Sequence, residues 1–264
     1  MFNLKYLSMK KLKFSLVLLF LVLVFGGCEK NKQDEIQQNL VVDHELGALL
    51  LPSDIYAKLP VAPTIHLKAA ATAITLVTPT PGDQGGEGSC VAWGTTYAAR
   101  SITWVKNHSA PYDLSVNIFS PEYVYNQIKV KPSCGSGAYT TTALNLLTSQ
   151  GVCTWNSMPY SDNSCSTMPN ATQKTEAGTY KVTSYATVAI KVSAIKAQLA
   201  SGFPVIVAGL VDKNFMYLGN GAVLTKRKGS LGGHCYCVVG YDDAKNAFKF
   251  QNSWGPTWAS GGFG

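Results

Sequence analysis

The rhythm of apolar and polar positions changes twice along the chain. Residues 14–25 form an apolar run interrupted only by Ser15, and the following EKNKQDEIQQN at 29–39 is polar and aperiodic. From Cys90 the segment CVAWGTTYAARSITWVKNH places apolar residues near helical spacing, which predicts a helix with Ser89 as its N-cap and Cys90 in its first turn. Ser120-Pro121 is a serine cap followed by proline at the first helical position, so a second helix runs through EYVYNQIKV. A third covers TTTALNLLTSQ and ends at Gly151. Beyond Gly178 the period shifts towards alternation. TYKVTSYATV reads as a strand and VSAIKAQLAS as a short helix closed by Gly202. FPVIVAGLV, HCYCVVGYD and NAFKFQNS read as strands bounded by Gly, Asp and Asn. Helices first and strands later predict an α+β fold of two packed halves.

The early apolar run changes how the charge is read. Lys5, Lys10, Lys11 and Lys13 precede it, Gly26 and Gly27 follow it, and its length of about a dozen residues falls short of the ~20 a spanning helix needs. This is the order of a secretory signal, so residues 1–27 are set aside from the fold. The formal charge of +7 then falls to 18 basic against 15 acidic residues, or +3. No cluster of Lys and Arg interleaves with aromatics, which argues against a nucleic-acid partner. Cys28 directly after two glycines resembles the lipobox of bacterial lipoproteins, although Phe25 stands where that family prefers Leu. The resemblance implies lipid attachment at Cys28 and a membrane-anchored protein of the bacterial cell envelope. Residues 28–74 are then a tether and short pro-segment.

Six cysteines remain: Cys90, Cys134, Cys153, Cys165, Cys235 and Cys237. Export favours disulfides, and Cys134, Cys153 and Cys165, close together in turn-rich sequence, are the pairing candidates; their connectivity is not legible from sequence. Cys235 and Cys237 share one face of a strand, but no further ligands stand at metal-binding spacing, so no metal and no cofactor is expected.

The run GDQGGEGSCVAWG at 82–94 carries the candidate chemistry. A thiol attacks a carbonyl efficiently as thiolate, which a helix N-terminus or a histidine cation favours. Cys90 has the first by position. Of the four histidines, His44 and His66 lie in the leader and His108 in a polar stretch, whereas His234 opens the strand GGHCYCVVGYDD.

Four separated motifs resemble, in order, those of the papain family of cysteine peptidases. VTPTPGDQGGEGSCVAW resembles the stretch carrying that family's oxyanion glutamine and nucleophile, with Gln84 six residues before Cys90. VSAIKAQLASGFPVIVAG followed by NFMYLGNGAV resembles the helix, strand and aromatic-glycine segment. GHCYCVVGY resembles the histidine strand, and FQNSWGPTW the Asn-Ser-Trp-Gly motif. The match runs from about residue 75 to 264.

The resemblance implies a papain-like two-lobed fold, a helical half and a β-barrel-like half, with the site in the cleft between them. It implies Cys90 as nucleophile, His234 as its base and acid, Asn252 holding the histidine, Trp254 covering that bond, and Gln84 stabilising the oxyanion. CGSG at 134–137 resembles a substrate-binding turn, with Gly137 as the contact. The implied activity is thiol endopeptidase, with protein or peptide substrates. A catalytically dead binding module and an amidase or transglutaminase-like acyl-transferase are the alternatives. Glu87 stands where many members carry a cysteine that bridges to the one at Cys134, which makes Cys153 the expected alternative partner. Val91 replaces a common Trp. His234 and Asn252 follow Cys90 by 144 and 162 residues. Only 12 residues follow Asn252, where the family normally continues with a further strand, so a minimal form or a truncated chain is expected.

Overall fold

A computed structural model describes residues 44–65 and 71–264, which belong to one unit, Val41–Gly264. The leader at 1–27, Cys28 and the start of the tether lie outside the described residues. No helix among the described residues is long and apolar enough to cross a membrane.

In chain order the elements begin with β1 (Ala48–Leu49), α1 (Ser53–Tyr56) and β2 (Ala73–Thr75). The helical half follows: α2 (Cys90–Ala92), a π-helix at Trp93–Arg100, α3 (Ser101–His108), α4 (Pro121–Ile128), β3 (Ala138–Tyr139), α5 (Thr140–Ser149) and α6 (Ala171–Ala177). Then come α7 (Val192–Ala200), β4 (Val205–Val211), α8 (Lys213–Met216), β5 (Gly232–Asp242) and β6 (Ala247–Gln251). This is the expected α+β order.

The predicted first helix is present as α2, the π-helix and α3 in succession. Its middle has the wider i to i+5 turn that is rare and often found near functional sites. The π turn brings Gly94 against β5, where a Cβ would lie 2.9 Å from Cys235 Sγ. Only a residue without a side chain allows helix and strand this close. Ser89 precedes the helix but makes no cap; its hydroxyl is hydrogen-bonded to the Tyr160 hydroxyl at 2.7 Å instead. The Ser120 cap forms as expected, accepting from the Tyr123 amide at 3.0 Å, and Gly151 closes its helix with φ of 86°.

The helical half packs Cys90, Val91, Phe119, Tyr123, Val124, Leu147 and Val152 into one buried core. The second half is an antiparallel sheet built on the long strand β5. One edge of β5 takes β4 over Gly232–Val238 and β2 over Gly240–Asp242, and the other takes β6 from Cys237 onward. Its core joins Leu199, Val211, Phe215, Phe250 and Trp254.

Two further expectations are corrected. TYKVTSYATV forms no strand; after a 3₁₀ turn at Gly178–Tyr180 only Thr187 bridges, to Val61. The helical half captures this segment instead. The Tyr180 ring meets Phe119 edge-on at 5.0 Å, its carbonyl accepts from Arg100, and the Val182 amide donates to Leu147. The disulfide joins Cys134 to Cys165, with Cα atoms 5.5 Å apart, and not to Cys153. Cys153 is a free, fully buried thiol in the helical core, on a segment whose carbonyl accepts from the Ser120 amide.

Candidate active site

The site is assembled from three glycine-flanked pieces of chain. Cys90 begins α2, His234 sits near the start of β5, and Asn252 follows β6, which pairs with β5. His234 Nε2 and Asn252 Oδ1 lie 2.7 Å apart. With Nε2 donating to that carbonyl oxygen, the neutral imidazole leaves Nδ1 as the basic nitrogen. His234 Nδ1 is buried and has no hydrogen-bond partner. Trp254 lies over the imidazole with ring centroids 4.5 Å apart, and Phe215 and Trp258 meet the indole edge-on at 5.4 and 5.6 Å. These aromatic contacts exclude water from the His234–Asn252 bond.

Gln84 is fixed by the same motif from 169 residues away. Its amide N–H donates to the Ser253 carbonyl at 2.8 Å, and the Ser253 hydroxyl donates to Gln84 Oε1 at 2.7 Å. That bond orients the side chain so that Nε2 is free to donate. The glycine-rich loop and the Asn-Ser-Trp-Gly motif are further clipped together by the Gly255 amide on the Gly82 carbonyl at 3.0 Å. The sequence motifs are thus joined by contacts: Gln84 to Ser253, His234 to Asn252 and Trp254, and Cys90 into one core with Cys235, the neighbour of His234, with Gln84, Cys90, His234, Asn252 and Trp254 all buried.

Gly137 lies across the centre with φ of +72°. Its amide donates to the Tyr125 hydroxyl at 3.3 Å, and it faces an element that the sequence does not single out. That element is the chain's own segment His44–Leu49, which fills the cleft. The Gly47 carbonyl accepts from the Ala138 amide at 2.9 Å, and β1 pairs with β3 in parallel. Gln84 Nε2 donates to the Glu45 carbonyl at 2.9 Å. The His44 ring stacks on Trp254, with centroids 5.2 Å apart and planes 3° from parallel. Leu46 packs on Gly232. The Gly47 backbone comes near enough to the nucleophile candidate to favour the Cys90 thiolate. A Cβ on Gly47 would fall 1.8 Å from the Gly88 carbonyl oxygen, and one on Gly137 would fall 2.3 Å from the Gly47 oxygen. The only sequence signal for this strap is the small pair Gly47-Ala48 between apolar residues.

Burial beneath the strap controls ionisation. It pushes the Cys90 thiol up to about 11, against hydrogen bonds from the backbone of Gly47 and Cys235 that favour the thiolate. It pushes the His234 imidazole down to about 4, opposed by the Asn252 hydrogen bond and reinforced by the nearby His44. The strapped pair is therefore uncharged at neutral pH.

Among the described residues, Glu87, Cys134 and Cys165 are the one group of three potential metal ligands within 4.8 Å of each other. Both sulfurs are tied up in the disulfide and cannot act as thiolate ligands.

Comparison with known proteins agrees with this geometry. Residues 68–264 match the family described as Papain family cysteine protease. The chain is 29% identical over 189 residues to a Giardia intestinalis protein named Cathepsin B-like CP3, covering 69% of this chain and 62% of that one. The chain thus spans less than two thirds of that relative's length. Among solved structures, xylellain, a cysteine protease from Xylella fastidiosa, superposes with a TM-score of 0.69 and is 27% identical, over 83% of this chain and 88% of that one. A Carica candamarcensis cysteine protease solved with E-64 shares the fold, with a TM-score of 0.58 at 20% identity, over 73% of this chain and 87% of that one. The family match over most of the chain and the convergence of its motifs on one buried centre lead to one assignment: this chain belongs to the papain family of cysteine proteases.

Proposed function

We propose that the protein is a thiol endopeptidase held latent by its own residues 44–49. Cys90 is the nucleophile. His234 takes its proton through Nδ1 and later returns it to the leaving amine, and Asn252 fixes the ring through Nε2. Gln84 Nε2 and the backbone N–H of Cys90 stabilise the oxyanion. The carrying observation is the position of Gln84 Nε2, which donates to a peptide carbonyl, that of Glu45, in the cleft that holds Cys90. Gly137 and Ala138 then offer an extended substrate the edge that β1 now occupies.

The strap contacts the machinery without presenting a scissile bond. The carbonyl on Gln84 belongs to Glu45, whereas the backbone that favours the thiolate of Cys90 is that of Gly47, two residues further on. Oxyanion donor and nucleophile thus engage different peptide units, and the geometry for attack on either is incomplete. An unfolded protein such as reduced casein tests the activity. Internal cleavage is expected once the strap is removed, and binding without any cleavage by folded, strap-free protein would favour the inactive-module reading instead.

Export and lipid attachment at Cys28 complete the proposal. They rest on the lysine-apolar-Gly-Gly-Cys order of residues 5–28. Wild-type mature protein is expected to partition into detergent and the Cys28→Ser variant into the aqueous phase; an aqueous wild type would refute the anchor.

A further inference from the structure

Glu87 is a buried carboxyl group that the proposed chemistry does not use, placed within the loop between Gln84 and Cys90. It is 1% exposed, its Oε1 has no hydrogen-bond partner, and its own carbonyl accepts from Gln84 Nε2 at 2.7 Å. Its Oε2 lies 3.3 Å from the Tyr160 hydroxyl. That hydroxyl is a hub. It donates to the Gln84 carbonyl at 2.7 Å and meets Ser89 Oγ at 2.7 Å.

A phenol has one proton to donate. The Gln84 carbonyl can only accept, so the Tyr160 proton is committed there. The Tyr160 oxygen and Glu87 Oε2 then face each other as two acceptors unless Glu87 carries a proton on Oε2. A protonated Glu87 resolves the conflict by donating Oε2–H to Tyr160, and it leaves Oε1 as a neutral carbonyl oxygen, which tolerates burial better than a carboxylate does.

We propose that Glu87 acts as a neutral carboxylic acid that positions the oxyanion loop, gripping Gln84 through Tyr160, and that losing its proton loosens Gln84. The inference rests on the reading of Gln84 as oxyanion donor. On balance the surroundings favour the neutral form, burial and Glu122 outweighing the Tyr160 hydroxyl and Lys129, which favour the carboxylate. Glu122 on α4 adds like charge, with its own oxygens held by Asn126 Nδ2 at 2.7 Å and the Ser161 amide at 3.2 Å. Asp162 adds more. Tyr125, whose hydroxyl bonds the Cys134 carbonyl, is uncharged at neutral pH. Lys129 is the nearby cation, but its ammonium donates to the carbonyls of Asn126 and Cys165 at 2.8 and 2.7 Å. None of the ion pairs among the described residues includes Glu87. Burial first, and then Glu122, raise the Glu87 carboxyl to about 7, so it titrates within the working range of a neutral-pH enzyme.

Two measurements on the full chain test this. In carbon-13 NMR, the Glu87 carboxyl signal, assigned by its loss in Glu87→Gln, should titrate near pH 7 rather than near the ordinary ~4.3. The Gln84 side-chain amide signal should move with the same midpoint in wild type and stay fixed in Glu87→Gln, whose amide N–H donates to Tyr160 at every pH. In turnover of a neutral peptide by the strap-released Gly47→Val chain, kcat should fall about tenfold between pH 6 and 8.5 with KM little changed, a fraction of the ~10²–10³ that a whole oxyanion donor is worth. Glu87→Gln should lose that decline. A Glu87 midpoint below 5, or a Gln84 amide that ignores the titration, would overturn the proposal. So would an unchanged pH profile in Glu87→Gln. If that variant does not fold, Tyr160→Phe must uncouple the Gln84 signal from Glu87, and continued coupling would equally refute the hub. If the protein shows no turnover, the peptidase reading falls on its own, and the two NMR midpoints still decide whether Glu87 grips Gln84.

Discussion

The side-chain amide of Gln84 donates to the carbonyl of Glu45 at 2.9 Å, so the chain's own backbone sits where a substrate carbonyl would be activated. Everything else about the strap is consistent with this single contact. The Gly47 carbonyl accepts from the Ala138 amide, His44 stacks on Trp254, and β1 takes the edge of β3.

Gly47 is the point at which the strap is most easily displaced. Its Cβ-free face lies against the Gly88 backbone, where a methyl group would sit 1.8 Å from the carbonyl oxygen. Backbone cannot swing aside as a flexible side chain can. Gly47→Val should therefore raise peptide turnover and the rate of Cys90 alkylation by at least about tenfold, which needs only ~1.4 kcal/mol of bias between closed and open strap. Equal rates in variant and wild type would remove the strap as the cause of latency.

Gln84→Ala removes a donor without touching the nucleophile. In a strap-released background kcat should fall by about 10²–10³ with a much smaller change in KM. Because Gln84 also holds Glu45, the same substitution should weaken strap closure in the otherwise native chain. Alkylation of Cys90 would then rise while turnover falls, an opposition that a simple folding defect would not produce.

The pH dependence of latency follows from His234. Its imidazole titrates at about 4 beneath the strap and nearer the ordinary ~6.5 when exposed, so closing the strap expels a proton between those values. On the acid side, strap affinity is full near pH 6.5 and is lost as the pH falls towards 4. The ratio of alkylation rates, Gly47→Val over wild type, is expected to shrink from pH 7 to pH 5. A ratio that grew on acidification would contradict the linkage.

The disulfide offers a test of the structural half of the picture. Cys134→Ser should cost about 4 kcal/mol of stability in denaturant unfolding, the usual scale for closing a loop of this length, whereas Cys153→Ala should leave the bridge intact. Peptide mapping without reduction should recover Cys134 joined to Cys165. Recovery of a Cys134–Cys153 peptide would show the pairing to be wrong.

Much of the site is legible in the sequence because its chemistry lies in short motifs. Gln84, Cys90, His234 and Asn252 each stand in a local pattern, and the fold sets Gln84 on Ser253 and His234 on Asn252 and Trp254. Helix ends at Ser120-Pro121 and Gly151 are readable for the same reason, being set by caps that neighbouring residues supply. What is not legible depends on partners distant in sequence. The strap has a strand of only two residues and no periodicity, and its identity comes from Ala138, Gln84 and Cys90 rather than from itself. Residues 179–188 alternate like a strand but find Phe119, Arg100 and Leu147 in place of a strand neighbour. Ser89 stands at a cap position and yet bonds Tyr160, 71 residues away. Cys153 and Cys165 look alike in sequence, and only the packing of the helical core separates them.

The most direct test is covalent labelling of strap-released protein with a peptidyl epoxide, followed by mass mapping of the adduct. At neutral pH the adduct should form on Cys90, vanish in Cys90→Ala and form far more slowly in His234→Ala, while Cys153, Cys235 and Cys237 stay unmodified in their buried positions. Folded, strap-released protein that leaves Cys90 unlabelled would contradict the assignment of Cys90 and His234 as the reacting pair.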